Sequence, residues 1–181
     1  MNVRSLLALL RNVSVKSVEK GEILIKEKAS GKEVFFIRKG LIRSFYTDDM
    51  GDEITFQLYS EHHMVTNIHS LLFNEPSKFT YQALEDTKTY GINYASFMKL
   101  TSMDPELLKL NRMHFGKRAM KQAFQRVESF VFLSPEERYK RYVKDYPNVI
   151  NRAPDKYIAH VLGITPVSLS RIRNRIASKK N

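Results

Sequence analysis

The sequence predicts an α+β chain with an N-terminal antiparallel β-roll (a double-stranded β-helix), one long helix and a C-terminal helix-turn-helix. Three observations carry this. Seven short β-type runs crowd into about seventy residues after Gly21, spaced like an antiparallel sandwich or barrel rather than βαβ units. From Asp104 the apolar period becomes helical and stays so for about 28 residues. Of the 30 basic and 19 acidic residues in the 181-residue chain, the last 48 positions hold 11 and 4, so most of the net +11 sits there.

The predicted elements follow in order. Asn2–Arg11 reads as a short helix with Leu6, Leu7, Leu9 and Leu10 facing inward. The β-type runs are Ile23–Lys26, Val34–Arg38, Leu41–Thr47, Ile54–Tyr59, Met64–Asn67, Phe79–Leu84 and Lys88–Asn93. Between them lie turn residues such as Lys39-Gly40, Asp48-Asp49-Met50-Gly51-Asp52 and Asn74-Glu75-Pro76-Ser77. Asp104-Pro105-Glu106 starts the long helix, with Asp as N-cap and Pro in the first turn. Met113, Met120 and Val127 recur every seven residues, and Leu110, Gly116, Ala123 and Phe130 lie three residues before or after them, a narrow a/d seam. Part of that stripe can pack on its own roll. A helix of this length outruns a small domain, so its far half is assigned to a second copy, and a homodimer is expected with Leu110, Met113, Met120, Ala123 and Val127 at the interface. Ser134-Pro135-Glu136-Glu137 repeats the helix-start signature with a capping box, and Tyr146-Pro147 stops that helix. The expected units are 1–103 for the roll, 104–133 for the dimerisation helix and 134–181 for the basic helix-turn-helix part.

Composition excludes several classes. With 43% apolar residues and 11% aromatics the chain can bury a core. Zero Cys excludes disulfides, thiolate zinc, Cys-ligated iron–sulfur clusters and a Cys nucleophile. The longest apolar runs fall far short of the ~20 residues that span a bilayer, and no signal-peptide cleavage pattern opens the chain. The expectation is a cytoplasmic protein with no membrane partner. From Gly163 to the end there are five basic residues and no acid, which draws this segment to a polyanion, nucleic acid first.

Residues 153–176 have helix-turn-helix spacing. Ala159 is small where two helices cross, Gly163 supplies a left-handed turn, Ile164 plugs the corner, and Thr165 caps a second helix with Pro166 at its first position. Ile158, Leu162, Ile164, Leu169 and Ile172 form the buried face. The other face presents Val167, Ser168, Ser170, Arg171 and Asn174 for reading base edges in a major groove, with Arg171 suited to guanine O6/N7 and Val167 to a thymine methyl. Thr165, Arg173, Arg175, Lys179 and Lys180 are assigned to phosphates, which position without reading sequence.

This order of parts resembles the cyclic-AMP receptor protein/fumarate-nitrate regulator (Crp/Fnr) family of bacterial transcription factors, over almost the whole chain. Lys20-Gly21-Glu22-Ile23-Leu24, Val34-Phe35-Phe36-Ile37-Arg38-Lys39-Gly40-Leu41-Ile42-Arg43 and Tyr157-Ile158-Ala159-His160-Val161-Leu162-Gly163-Ile164-Thr165 carry the resemblance, and Leu169-Ser170-Arg171-Ile172-Arg173 looks like its short Bacteroidetes-type regulators. It implies a cyclic nucleotide-binding-like roll, a winged-helix-like helix-turn-helix, a homodimer on a palindromic duplex operator, RNA polymerase as a further partner, and an unidentified small-molecule effector. The family grips the nucleotide phosphate with a Gly-Glu pair and an Arg. Here no Arg occurs from Ser44 through Asn111, and Thr66, Asn67 and Lys78 are what remains of that pocket, Lys78 being only a point charge. Tight cyclic AMP binding is therefore not expected. Val167-Ser168-Leu169-Ser170-Arg171 keeps the family's Ser-Arg but has Val in place of Glu, which removes the acceptor for cytosine N4. The chain ends soon after the second helix, so the wing is expected to be truncated.

His62, His63 and His69 raise an alternative, a cupin-like metal-dependent enzyme with an incidental basic tail. Strand neighbours point to opposite faces, so His62 and His63 cannot both hold one ion unless the chain loops there, and the cupin's spaced His-x-His is absent; a solvated turn with one pocket-facing His is preferred, and neither a metal site nor a cofactor is expected. No Ser-His-Asp order, phosphate loop or paired-carboxylate motif stands out, and no catalytic residue is assigned.

Overall fold

A computed structural model describes residues 3–110 and 117–178. Helix α1 (Val3–Asn12) leads into eight strands: β1 (Ser14–Val18), β2 (Ile23–Ile25), β3 (Glu33–Lys39), β4 (Ile42–Thr47), β5 (Glu53–Tyr59), β6 (Met64–Thr66), β7 (Thr80–Ala83) and β8 (Thr87–Asn93). The short α2 (Ile68–Leu72) interrupts them. Then come α3 (Tyr94–Met103), α4 (Pro105–Leu110), α5 (Lys117–Phe132), α6 (Pro135–Asp145), α7 (Pro147–Ile150), α8 (Asp155–Leu162) and α9 (Pro166–Ser178). The strands form two antiparallel four-stranded sheets, ordered β1-β8-β3-β6 and β2-β7-β4-β5.

The sheets close on Val18, Leu24, Phe35, Ile37, Ile42, Val65, Tyr81 and Ala83. Several strands lack the apolar–polar alternation of a one-sided sheet because both their faces are covered. Along β3, Phe35 and Ile37 point between the sheets, while Val34 and Phe36 point to a second cluster with Ile92, Phe97 and Leu100 beneath α3. Along β4, Ile42 points between the sheets. Arg43 and Phe45 point out under α8, where the guanidinium lies 4.0 Å from the Phe45 ring and 4.3 Å from that of Tyr157.

Gly40 shows why one turn takes only glycine. Its φ is +123°, and a Cβ there would lie 2.7 Å from the Thr87 Cα, so a side chain meets backbone as well as strain.

Several expectations change. Ser14–Val18 is a strand that pairs with β8 and was not foreseen, and so is the helix Tyr94–Met103, whose N-cap Asn93 accepts from the Ala95 and Ser96 amides. Leu7 and Leu10 on α1 are exposed rather than inward. His62 and His63 do lie in a turn, the preferred reading, between β5 and β6, His62 with φ +64°, so opposite strand faces do not separate them. The expected continuous helix is observed over 105–110 and 117–132. The side chain of Leu110, together with Met113, Gly116, Lys179 and Lys180, lies outside the described residues.

Candidate nucleic-acid interface

The C-terminal unit is assembled by caps that the residues themselves supply. Ser134 Oγ accepts the Glu137 amide at 3.4 Å while Glu137 Oε2 accepts the Ser134 amide at 2.8 Å, closing the capping box of α6; the Ser134 hydroxyl, donating to Oε2 at 2.6 Å, and then the Ser134 amide hold the Glu137 carboxyl below the usual carboxylate range. Gly163 ends α8 at φ +64°, with the Gly163 amide bonded to His160 O and the Ile164 amide to Ala159 O. A Cβ at Gly163 would come 2.6 Å from the Phe130 ring, so this glycine is required both by the turn and by its neighbour on α5. Thr165 Oγ1 then accepts the Ser168 amide at 3.1 Å and starts α9.

Ile158, Ala159, Leu162, Leu169 and Ile172 are buried together with Tyr139, Tyr142, Val149 and Ala153, and Ile164 is half-buried against them. This fixes the rotation of α9. Val167, Ser170, Arg171, Asn174 and Arg175 face outward, and among the described residues Arg171 has no hydrogen-bond or ion-pair partner. Ser168 is half-buried with its hydroxyl 2.9 Å from that of Thr165, so both hydroxyls take part in the cap. Arg173 bonds to Asp155 at 2.8 Å and to the Tyr139 hydroxyl at 3.2 Å, tying α9 to α8 and α6. Arg175 reaches Glu136 at 3.2 Å. The outward face of α9 thus presents Arg171 unpaired and the other two arginines engaged by acids of their own domain.

Helix α5 is amphipathic in an unusual sense, because its polar side meets the roll. Arg126 Nη1 donates to Phe56 O at 2.7 Å and to Gln57 Oε1 at 2.8 Å, and Gln122 Nε2 lies 3.4 Å from His63 Nε2. Met120, Ala123, Phe124, Val127 and Val131 are exposed on the other side. Of the expected interface, Met120, Ala123 and Val127 therefore lie together in a stripe left open by this chain's own packing.

The residues expected to remain of a nucleotide pocket are engaged in bonds within the protein. Thr66 Oγ1 donates to Glu33 O at 2.7 Å. Asn67, 1% exposed, caps α2 by accepting the Ser70 amide, and donates to Ala29 O at 2.9 Å and Ser70 Oγ at 2.5 Å. Lys78 is exposed and 3.8 Å from Glu75. Thr66 and Asn67 are inside and Lys78 outside, so they do not converge on one ligand. Phe79 stacks on Phe56 at 4.6 Å and meets the His69 ring at 5.8 Å, filling the neighbouring space. An open cleft lies elsewhere, between α5, α6 and α8, lined by Gln125, Arg126, Arg138, Tyr142 and Leu162 among others. Among the described residues, no three His, Asp or Glu come together as a metal site, and no helix is long and apolar enough to cross a membrane.

Sequence reasoning missed the contacts that join the helix-turn-helix to the roll. Arg152 holds Glu61 through two bonds of 2.9 Å and Glu85 through bonds of 2.5 and 3.1 Å. These bonds pull the Glu61 carboxyl down to about 2, against the cost of its burial, and raise the guanidinium's already high value. Arg43 is 2% exposed, bonded to Gln82 and Glu53 and stacked under Tyr157 of α8. Thr55 N–H donates to His160 Nδ1 at 3.2 Å. Leu41 and Leu58 of the roll join the apolar cluster of the C-terminal unit. Apart from Arg43–Glu53, ten residues apart within the roll, each of these pairs is tens of residues apart, and no local pattern announces them.

Residues 15–104 match the cyclic nucleotide-binding domain family, a match that ends where α4 begins. No curated protein sequence matches the chain. Among solved structures, FixK2 from Bradyrhizobium japonicum is similar at 17% identity with a TM-score of 0.74, over 93% of this chain and 86% of that one. A CooA variant from Carboxydothermus hydrogenoformans is similar at 17% identity and 0.72, over 99% and 85%. The Thermus thermophilus catabolite activator protein gives 16% and 0.55, over 99% and 85%. At such identities the likeness is one of fold, and it extends through the C-terminal helices.

Proposed function

We propose that this chain, whose residues 15–104 match the cyclic nucleotide-binding domain family and whose fold is that of the Crp/Fnr transcription regulators, is a homodimeric, sequence-specific DNA-binding regulator rather than an enzyme. The observation that carries the reading is the outward face of α9. Packing of Leu169 and Ile172 turns Val167, Ser170, Arg171 and Asn174 to solvent, on a helix without a single acid in a domain with seven excess positive charges. Arg171 reads a base, its guanidinium being unpaired. Arg175 exchanges Glu136 for a phosphate, and Lys179 and Lys180 add phosphate contacts. Thr165 and Ser168 serve first as the cap that orients the helix, and Arg173 serves first as its brace. RNA polymerase is the further partner this reading entails.

The exposed stripe on α5 supports the dimer. An apolar face at seven-residue recurrence, on a helix whose polar side is already committed to its own roll, is buried by a second copy of itself. Two α9 helices then enter successive major grooves ~34 Å apart on a palindromic duplex. The roll acts as a sensor or partner domain that does not hold cyclic AMP tightly, because Asn67 and Thr66 already spend their hydrogen bonds inside the protein.

Selection of bound sites from random duplexes tests the reading. A two-fold symmetric sequence with half-sites about one helical turn apart is expected, and enrichment of no sequence at all would overturn it.

A further inference from the structure

Strand β5 is an edge of its sheet, and α8 covers it. One amide of that edge, Thr55 N–H, donates to His160 Nδ1 at 3.2 Å, so Nδ1 is an unprotonated acceptor in this arrangement. Thr55 is 1% exposed and water does not readily replace the ring. A proton on Nδ1 turns the acceptor into a donor pointed at a donor, and a buried unpaired amide is costly. The charged groups that bear on the ring are Lys156 of α8 and Arg43 of β4, which both oppose a second positive charge, and Asp52 of the β4–β5 turn, which favours one. Among the further ties across the seam, the Glu61–Arg152 pair stays ionised in the same pH range, since the Glu61 carboxyl is held near 2, so the change at His160 adds to ties that persist.

We infer that the α8–β5 seam is a proton-operated latch, in which neutral His160 holds the helix-turn-helix to the roll and protonation of His160 releases it. His160 is then a positioning residue, and the proton is an effector read by this chain. Burial keeps the ring's pKa below its usual 6.5, so the seam has its full strength above that value and loses it as pH falls from there. The consequence for DNA rests on the proposed function: with released arms, two recognition helices are no longer held at one spacing. Affinity for a paired site falls and affinity for a single half-site does not.

Amide hydrogen exchange on the full chain, at about pH 7.5 and about pH 5.5 and corrected for intrinsic rates, reads the latch without DNA. Protection at Thr55 and along α8 is expected to drop about tenfold at the lower pH. In His160→Asn the amide oxygen replaces Nδ1 as acceptor and does not titrate, so protection should stay high at both pH values. Equal protection of the natural chain at both pH values, or an equal drop in the Asn variant, overturns the latch. If the variant does not fold, NMR titration of the natural chain decides, since the His160 ring and the Thr55 amide must share one midpoint and different midpoints refute the link. A latch that opens with no change in paired-site affinity leaves the seam assignment standing and overturns the DNA coupling.

Discussion

Arg152 is the residue whose removal most directly measures how far the roll and the helix-turn-helix depend on each other. Its side chain is 27% exposed, that of Glu61 is 22% exposed, and that of Glu85 is 35% exposed. Exposed ion pairs contribute ~0.2–1 kcal/mol, while breaking a fully buried pair costs ~3–5 kcal/mol because a charge is left desolvated. The Arg152 cluster lies between these limits, with Glu61 the more enclosed acid, so Arg152→Ala should destabilise the fold by about 2 kcal/mol at neutral pH, a shift of about 4–8 °C in Tm. The pH dependence is specific. Glu61 ordinarily titrates near 4.5 and in the folded chain near 2. Its contribution is therefore complete above about 4.5 and is lost as pH falls toward about 2. Urea denaturation of the natural chain and the variant, at about pH 7 and about pH 3 and at one fixed protein concentration, is the assay, because association adds to apparent stability. The two chains should differ at the higher pH, and the difference should narrow at the lower as the Glu61 contribution begins to be lost. A neutral-pH difference below about 0.5 kcal/mol, or a difference of the same size at both pH values, would refute the assignment of Arg152 as a charge clamp.

Four further outcomes are expected. Arg171→Ala should cost ~1–3 kcal/mol per half-site and relax one base position in a binding titration, whereas an equal loss on every sequence would make Arg171 a backbone contact. Met120→Lys, at a site 61% exposed, should leave folding of the single chain nearly unchanged yet sediment as a monomer, and an intact dimer would move the interface off this stripe. Calorimetry with cyclic AMP should show no binding at micromolar concentration, since the groups facing that region already have partners. Gly163→Ala places a Cβ in a left-handed turn and against the Phe130 ring, and should lower stability by at least ~1–2 kcal/mol in thermal denaturation.

The parts that were legible in the sequence are those in which the deciding partner lies within a few residues. The Ser134–Glu137 capping box, the Gly163 turn and the Thr165 cap were readable because each hydrogen bond spans three to five positions. Two of the missed elements show the physical reasons. Ser14–Val18 has one buried position, Val18, and becomes a strand through its pairing with β8 about seventy residues away. Tyr94–Met103 carries Tyr, Phe and Thr, which intrinsic preference does not favour in a helix, and its stability comes from Phe97 and Leu100 closing the cluster on Val34 and Ile92.

Helix α5 marks the boundary between what periodicity can and cannot give. The seven-residue recurrence of Met120 and Val127 identifies a stripe, but a stripe has no direction until something occupies one side. Here the occupant is polar: Arg126 satisfies Phe56 O and Gln57 on the roll and stacks on Phe56 at 4.5 Å. Had the roll taken the apolar side, as a lone amphipathic helix on a domain surface does, the stripe would have been closed within one chain and nothing would remain for a second. Because the guanidinium fixes the helix the other way round, Arg126 rather than any residue of the stripe is what leaves this stripe open for the second copy proposed above.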